Sequence, residues 1–253
     1  MKNVYIIANW KMQQSPEQAQ QVAKDLVKKV KKDKIKRGRE VVICPTFTEL
    51  PALSKILKGN QIGLGAQDVA EEDYSAFTGG VSAAGLKYYD CEYVIVGHSE
   101  RRTYLHETNQ QVNKKIKLVL KSNLIPIVCI GETFEERQAG QKEAVLMEQL
   151  AEGLSGVWVH ENQKMLIAYE PVWVIGSGQA VDPDEAERTH AAIRRALLEH
   201  LPAKIVSDNI GIIYGGSVNS LNVKDFLDRP SIDGVLVGGA SLTLDKFWPI
   251  INY

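Results

Sequence analysis

Cysteine is scarce and odd in number: the 253-residue chain has three, Cys44, Cys91 and Cys129, all in apolar runs and none in a CxxC pairing. A disulfide framework is excluded, and small buried thiols in a reducing compartment are expected. Long apolar stretches are missing as well, since no run reaches the roughly 20 residues that span a bilayer. The first run, Val4 to Ala8, is far shorter than a secretory core and has no small-residue cleavage site after it. A soluble, cytoplasmic protein without membrane attachment is therefore expected. Charge of one sign is not in excess, with 30 Lys+Arg against 31 Asp+Glu. No broad field exists to attract nucleic acid or an anionic membrane. One local excess, nine Lys/Arg between Lys24 and Arg39, surrounds the apolar stripe of a helix and holds no aromatic for base stacking. It reads as solvated surface. The five histidines form no HExxH or other ligand spacing, and no GxGxxG follows the first apolar run. Neither a metal nor a dinucleotide cofactor is expected.

Short Val- and Ile-rich runs are abundant: Val4 to Ala8, Val41 to Cys44, Ile62 to Ala66, Tyr93 to Val96, Ile125 to Ile130, Met165 to Tyr169, Ile210 to Tyr214 and Ile232 to Val237. Their continuous apolar character predicts strands buried on both faces. Helical periods lie between most of them. Ser15-Pro16-Glu17-Gln18 supplies an N-cap, a proline at the first helical position and a capping-box glutamine. Asp182-Pro183-Asp184-Glu185 repeats the device, and Asn219 is expected to cap a helix reaching about Leu227. Eight strands alternating with helices imply parallel pairing through right-handed crossovers. With no dinucleotide fingerprint and no linker dividing the chain, the expected fold is a single-domain α/β protein, a closed (β/α)8 barrel over residues 1–253, which is also the usual size of that fold.

In such a barrel the strand C-termini share one rim, where chemistry gathers. The first strand ends in Asn9 and Lys11, the fourth in Gly97-His98-Ser99-Glu100, and the sixth in Tyr169-Glu170-Pro171. An ammonium, an imidazole and a carboxylate thus face one pocket. Strands seven and eight end in Gly215-Gly216-Ser217 and Gly238-Gly239-Ala240, turns whose backbone N–H groups suit a phosphate, helped by a helix expected to start near Gly239. The segment Pro171 to Gly178 is apolar with two glycines and reads as a lid that excludes water. A carboxylate base facing hydrogen-bond donors beside a phosphate site suits proton abstraction next to a carbonyl.

Ala8-Asn9-Trp10-Lys11, Gly97-His98-Ser99-Glu100-Arg101-Arg102, Cys129-Ile130-Gly131-Glu132, Ala168-Tyr169-Glu170-Pro171-Val172-Trp173, Tyr214-Gly215-Gly216-Ser217-Val218 and Val237-Gly238-Gly239-Ala240-Ser241-Leu242 together resemble the triosephosphate isomerase family across the chain. The resemblance implies interconversion of dihydroxyacetone phosphate and glyceraldehyde 3-phosphate, a step of glycolysis and gluconeogenesis, without a cofactor. It makes Glu170 the base, His98 the neutral electrophile, Lys11 the countercharge to the enediolate and Asn9 a hydrogen-bond donor, with Glu100 beside Lys11. Gly176, Ser217, Gly238 and Gly239 are the implied phosphate ligands. Another phosphate-binding barrel isomerase would share the Gly-Gly turns but not this motif set.

The family resemblance also implies a homodimer through the loop Asp73 to Gly80, with Thr78 entering the partner's site. Gly80 stands where the family places a glutamate that reaches the arginine equivalent to Arg101, and Gly85 where a bulky residue is common. The expectation is a dimer that dissociates more readily than usual. Arg101 is expected to be structural. In the lid, Val174 replaces an alanine and Ser177 a threonine, changes that leave activity in place.

Overall fold

A computed structural model describes residues 3–73, 75–176 and 178–253. Eight strands, β1 Val4–Asn9, β2 Arg39–Cys44, β3 Ile62–Ala66, β4 Cys91–Val96, β5 Ile125–Ile130, β6 Met165–Tyr169, β7 Ile210–Tyr214 and β8 Gly234–Val237, pair in parallel and in order. β8 closes on β1, with Tyr5 opposite Gly234 and Ala8 opposite Val237. The crossovers are α1 Pro16–Asp33, α2 Leu50–Leu57, α3 Ala83–Tyr88, α4 Ser99–Leu105, α5 Asn109–Lys121, α6 Phe134–Gln138, α7 Lys142–Gly153, α8 Pro183–Leu197, α9 Ala203–Asp208 and α10 Val223–Leu227, and α11 Leu244–Ile251 follows the last strand. None of these helices is long and apolar enough to cross a membrane.

The continuous apolar runs have a simple cause. Alternate strand residues such as Ile7, Val42, Ile95, Ile127, Leu166 and Ile213 fill the barrel interior. Their neighbours Ile6, Val41, Val94, Val128, Ile167 and Ile212 pack under the helices, so neither face of a strand meets water. Cys44 and Cys129 lie inside the barrel and Cys91 in the outer layer, all three buried free thiols.

Three sequence expectations shift. The eighth strand starts at Gly234 rather than Ile232, because Asp233 turns its carboxylate to the Ile212 N–H at 2.7 Å and to Arg194 at 2.5 Å. The helix after β7 begins at Val223. Asn219 instead ties the preceding turn, its Oδ1 accepting from the N–H groups of Leu221 and Asn222 at 2.8 and 3.2 Å. The helix expected at Gly239 is a single 3-10 turn, Gly239–Ser241, too short to develop much of a dipole.

The Ser15 capping box forms as expected, with the Gln18 N–H donating to Ser15 Oγ at 3.3 Å and Gln18 Oε1 accepting from the Ser15 N–H at 2.9 Å. Ser15→Ala is expected to lower unfolding free energy by about 1 kcal/mol, read from urea midpoints, with activity unchanged.

Candidate active site

Lys11 leaves the first strand with φ of 51°, the left-handed region that disfavours side chains. Three contacts hold it there: its N–H donates to Asn9 Oδ1 at 3.1 Å, its carbonyl accepts from Gln67 Nε2 at 2.8 Å, and its ammonium pairs with Glu100. Trp10 points the other way, donating from Nε1 to the Ser241 carbonyl at 3.0 Å. The first rim loop is thereby tied to the last one. Ser241 Oγ in turn donates to Gly238 O at 2.6 Å, which sets the final Gly-Gly turn.

His98 sits at the N-cap of α4, where the Glu100 N–H donates to its Nδ1 at 3.2 Å. With Nδ1 accepting, the proton of the neutral ring lies on Nε2. That atom is 3.0 Å from Glu170 Oε1. The second carboxylate oxygen of Glu170 accepts from the Ser99 N–H at 2.9 Å. Burial by itself raises the Glu170 pKa, but His98 and the Ser99 N–H favour the ionised form and hold it below the ordinary carboxylate range. For His98, burial is the largest single effect and opposes charge, but the Glu170 carboxylate, through its charge and hydrogen bond, and Glu100 together outweigh it and raise the imidazole pKa.

Space for the backbone and side-chain stem of Glu170 is made by glycine. A Cβ on Gly131 would lie 1.7 Å from the Glu170 carbonyl oxygen, and one on Gly215 would lie 2.9 Å from Glu170 Cγ. Both are the glycines of the rim motifs.

Asn9, Lys11, His98, Glu170, Gly176, Ser217, Gly238 and Gly239 line one cleft of about 410 Å³. Every candidate site residue except Glu100 thus borders the same space, and Glu100 stands behind it, joined to Lys11 and 3.6 Å from His98 Nδ1. Among the described residues no three metal-capable side chains cluster.

The segment expected to act as a lid starts with a 3-10 turn, Val172–Val174, and carries positive φ at Gly176 and Gly178. Val174 is buried in that turn, whereas Ser177 lies outside the described residues. Four lid contacts escape sequence reading. Trp173 Nε1 and the Tyr169 hydroxyl both donate to Glu132 Oε1 at 3.1 Å, and the Arg137 guanidinium lies 4.4 Å from the centre of the Trp173 ring. At the far end the Val181 N–H donates to the Tyr214 hydroxyl at 3.2 Å. Glu132 stood in a rim motif without a role, and Gln67 had no signal.

Arg101 does not line this cleft. It pairs with Asp68 at 2.7 Å and Glu107 at 3.1 Å, and the buried Lys115 pairs with the same two carboxylates. Its charge is therefore met inside its own chain. Phe77 folds over Gly80, 2.5 Å from where a Cβ would stand, so a glutamate has no room there in this loop conformation.

The family model described as triosephosphate isomerase matches residues 4–253. A triosephosphate isomerase of Dictyoglomus thermophilum is 45% identical over 255 residues, covering 100% of both chains. Those of Carboxydothermus hydrogenoformans and a Roseiflexus species are 42% and 40% identical, covering 100% of this chain and 99% and 98% of their own.

Proposed function

The chain belongs to the triosephosphate isomerase family, and from that premise we propose how its own residues carry out the reaction. The activity is the interconversion of dihydroxyacetone phosphate and glyceraldehyde 3-phosphate, a step of glycolysis. The observation that carries the site assignment is the single cleft in which Glu170, His98 and Lys11 face the two Gly-Gly turns.

The Glu170 carboxylate takes a proton from the carbon beside the substrate carbonyl, and the C–H electron pair moves into the new carbon–carbon double bond of an enediolate. The same carboxyl returns the proton to the neighbouring carbon while the hydroxyl proton passes from one enediolate oxygen to the other through the facing His98 Nε2, so the reaction closes without oxidant, reductant or water. Negative charge grows on the carbonyl oxygen, which receives the His98 Nε2–H and hydrogen bonds from Lys11 and Asn9. A substrate oxygen seated on Nε2 displaces the Glu170 oxygen now found there, removing the hydrogen bond through which Glu170 raises the imidazole pKa, while burial continues to oppose its charge. The ring is left neutral, its Nδ1 still accepting from Glu100 N–H. The phosphate takes the backbone N–H groups of Ser217, Gly238 and Gly239, joined by Gly176 when the lid closes and dries the site.

A coupled assay with both triose phosphates in deuterated water tests this reading. Turnover with solvent deuterium entering the product at the transferred position is the expected result. Turnover that retains the substrate hydrogen fully, as an internal hydride shift does, overturns the carboxylate-base assignment.

A cytoplasmic homodimer is the assembly this reading favours. Phe47, Phe77 and Leu105, all exposed, line a groove of about 210 Å³ beside Gly79, Gly80 and Arg101, the apolar surface a second copy would cover. Because Asp68 and Glu107 already neutralise Arg101, the missing glutamate at position 80 leaves no unpaired cation. Sedimentation is expected to give twice the 28.1 kDa chain mass at micromolar concentration in both low and high salt; a monomer throughout overturns the dimer.

A further inference from the structure

His190 is the one histidine with 0% exposure, it lies outside the cleft, and the chemistry above makes no use of it. It stands two turns into α8, the helix that follows the lid, and its Nδ1 is 2.7 Å from the Ala186 carbonyl. A neutral ring donates there. Burial depresses the imidazole pKa to about 4, so the ring is uncharged at working pH.

What surrounds the ring is specific. Tyr169 meets it edge to face, with centroids 5.7 Å apart and planes at 87°. Tyr214 meets it from the adjoining strand at 6.2 Å and 46°. These tyrosines are direct register partners on β6 and β7. Each hydroxyl serves one end of the lid: Tyr169 shares Glu132 with Trp173 at the entry, and Tyr214 receives the Val181 N–H at the exit. Tyr214 is also stacked on Phe226, with centroids 4.1 Å apart.

We propose that His190 is a positioning residue for lid closure, a buried ring that holds the Tyr169 and Tyr214 hydroxyls at fixed separation so that both lid ends move in register. A lid that closes as a unit must keep its two attachment points at constant spacing, and among the described residues His190 packs its ring against both tyrosine rings. The ring contact, not the hydrogen bond to Ala186, carries the effect. The inference rests on the reading of the segment Pro171 to Gly178 as a lid over phosphorylated trioses.

Two variants separate the ring from the donor. His190→Asn keeps a donor for Ala186 O and removes the ring, while His190→Phe keeps a ring and removes the donor. The readouts are kcat/KM for glyceraldehyde 3-phosphate and for D-glyceraldehyde, which has no phosphate to draw the lid shut, together with the melting temperature. Expected for His190→Asn is a loss of about tenfold or more with the phosphorylated substrate and little change with D-glyceraldehyde. His190→Phe is expected to keep both rates near wild type whatever its melting temperature. Should His190→Asn not fold, His190→Leu replaces it with the same expected split. Equal losses on both substrates, no loss on either, or a His190→Phe variant as impaired as His190→Asn would each overturn the proposal. A wild type inactive on the phosphorylated trioses points instead to failure of the functional reading.

Discussion

Glu170→Gln is expected to lower kcat for either triose phosphate by about 10³-fold or more, with KM little changed. The amide fits the same space beside Gly215, and its oxygen still accepts from the Ser99 N–H. What it lacks is a basic oxygen, so binding survives and proton abstraction does not. Glu170→Asp keeps the base but withdraws it by one methylene, and a misplacement of that size costs about 10²-fold. The order wild type, Asp, Gln is the signature of a positioned base. A Gln variant within tenfold of wild type would remove Glu170 from the chemistry.

The same residue sets a pH dependence whose sign can be worked out. Its carboxyl is held below the ordinary range by His98 and the Ser99 N–H, against the opposing effect of burial. In the free enzyme the first proton taken up by the facing pair therefore goes to His98, whose pKa Glu170 raises. Because the ring acts in its neutral form, the kcat/KM profile, corrected for substrate phosphate ionisation, is expected to fall already as pH drops through the raised imidazole range, before Glu170 itself is protonated. For stability, Glu170 sets the sign. A depressed carboxylate pKa contributes stability above the unfolded-chain value, and the contribution is lost as pH falls through the folded-state value. Urea titrations at descending pH should show wild type losing this contribution while Glu170→Gln does not.

Much of this was legible in the sequence because it depends on local pattern. Runs such as Met165–Tyr169 are apolar throughout because one set of residues faces the barrel interior and the other the helices. The rim rule then placed Lys11, His98 and Glu170 together from strand ends alone. What was hidden depends on pairs far apart in the chain. Gln67 reaches the Lys11 carbonyl from 56 residues away, and Tyr214 meets Val181 from 33. Nothing in the local spacing of a glutamine or a tyrosine announces such a partner. Asp68 shows the same limit: Gly80 alone left open whether the Arg101 charge would be met, and the carboxylate that meets it comes from the loop after β3 and is seen only once the barrel closes. The misplaced start of β8 has a smaller cause, an aspartate whose side chain takes the Ile212 N–H where apolar character suggested strand.

Lys11 joins strain to function, and its replacement is expected to move the two in opposite directions. The residue holds φ at 51°, a conformation that costs a side chain roughly 1–2 kcal/mol, and its ammonium faces the cleft beside Glu100. Lys11→Gly relieves the backbone and removes the cation. Loss of the ammonium removes countercharge from the enediolate in a dried site, a change of about 10²- to 10³-fold in kcat for one stabilising group. The lost ion pair with Glu100 is worth little because both partners are partly exposed. Lys11→Gly is therefore expected to unfold at the same urea midpoint as wild type or up to about 1 kcal/mol higher, despite the greater flexibility glycine gives the unfolded chain. Lys11→Met separates the two effects, for it removes the charge and keeps the strain. It should match Lys11→Gly in lost turnover and fall below it in stability. Lys11→Gly less stable than Lys11→Met by more than about 1 kcal/mol would mean the backbone there is not strained. Equal turnover in wild type and Lys11→Met would mean that the near-neutral chain, with its formal charge of -1, attracts and stabilises its anionic substrate through backbone N–H groups alone.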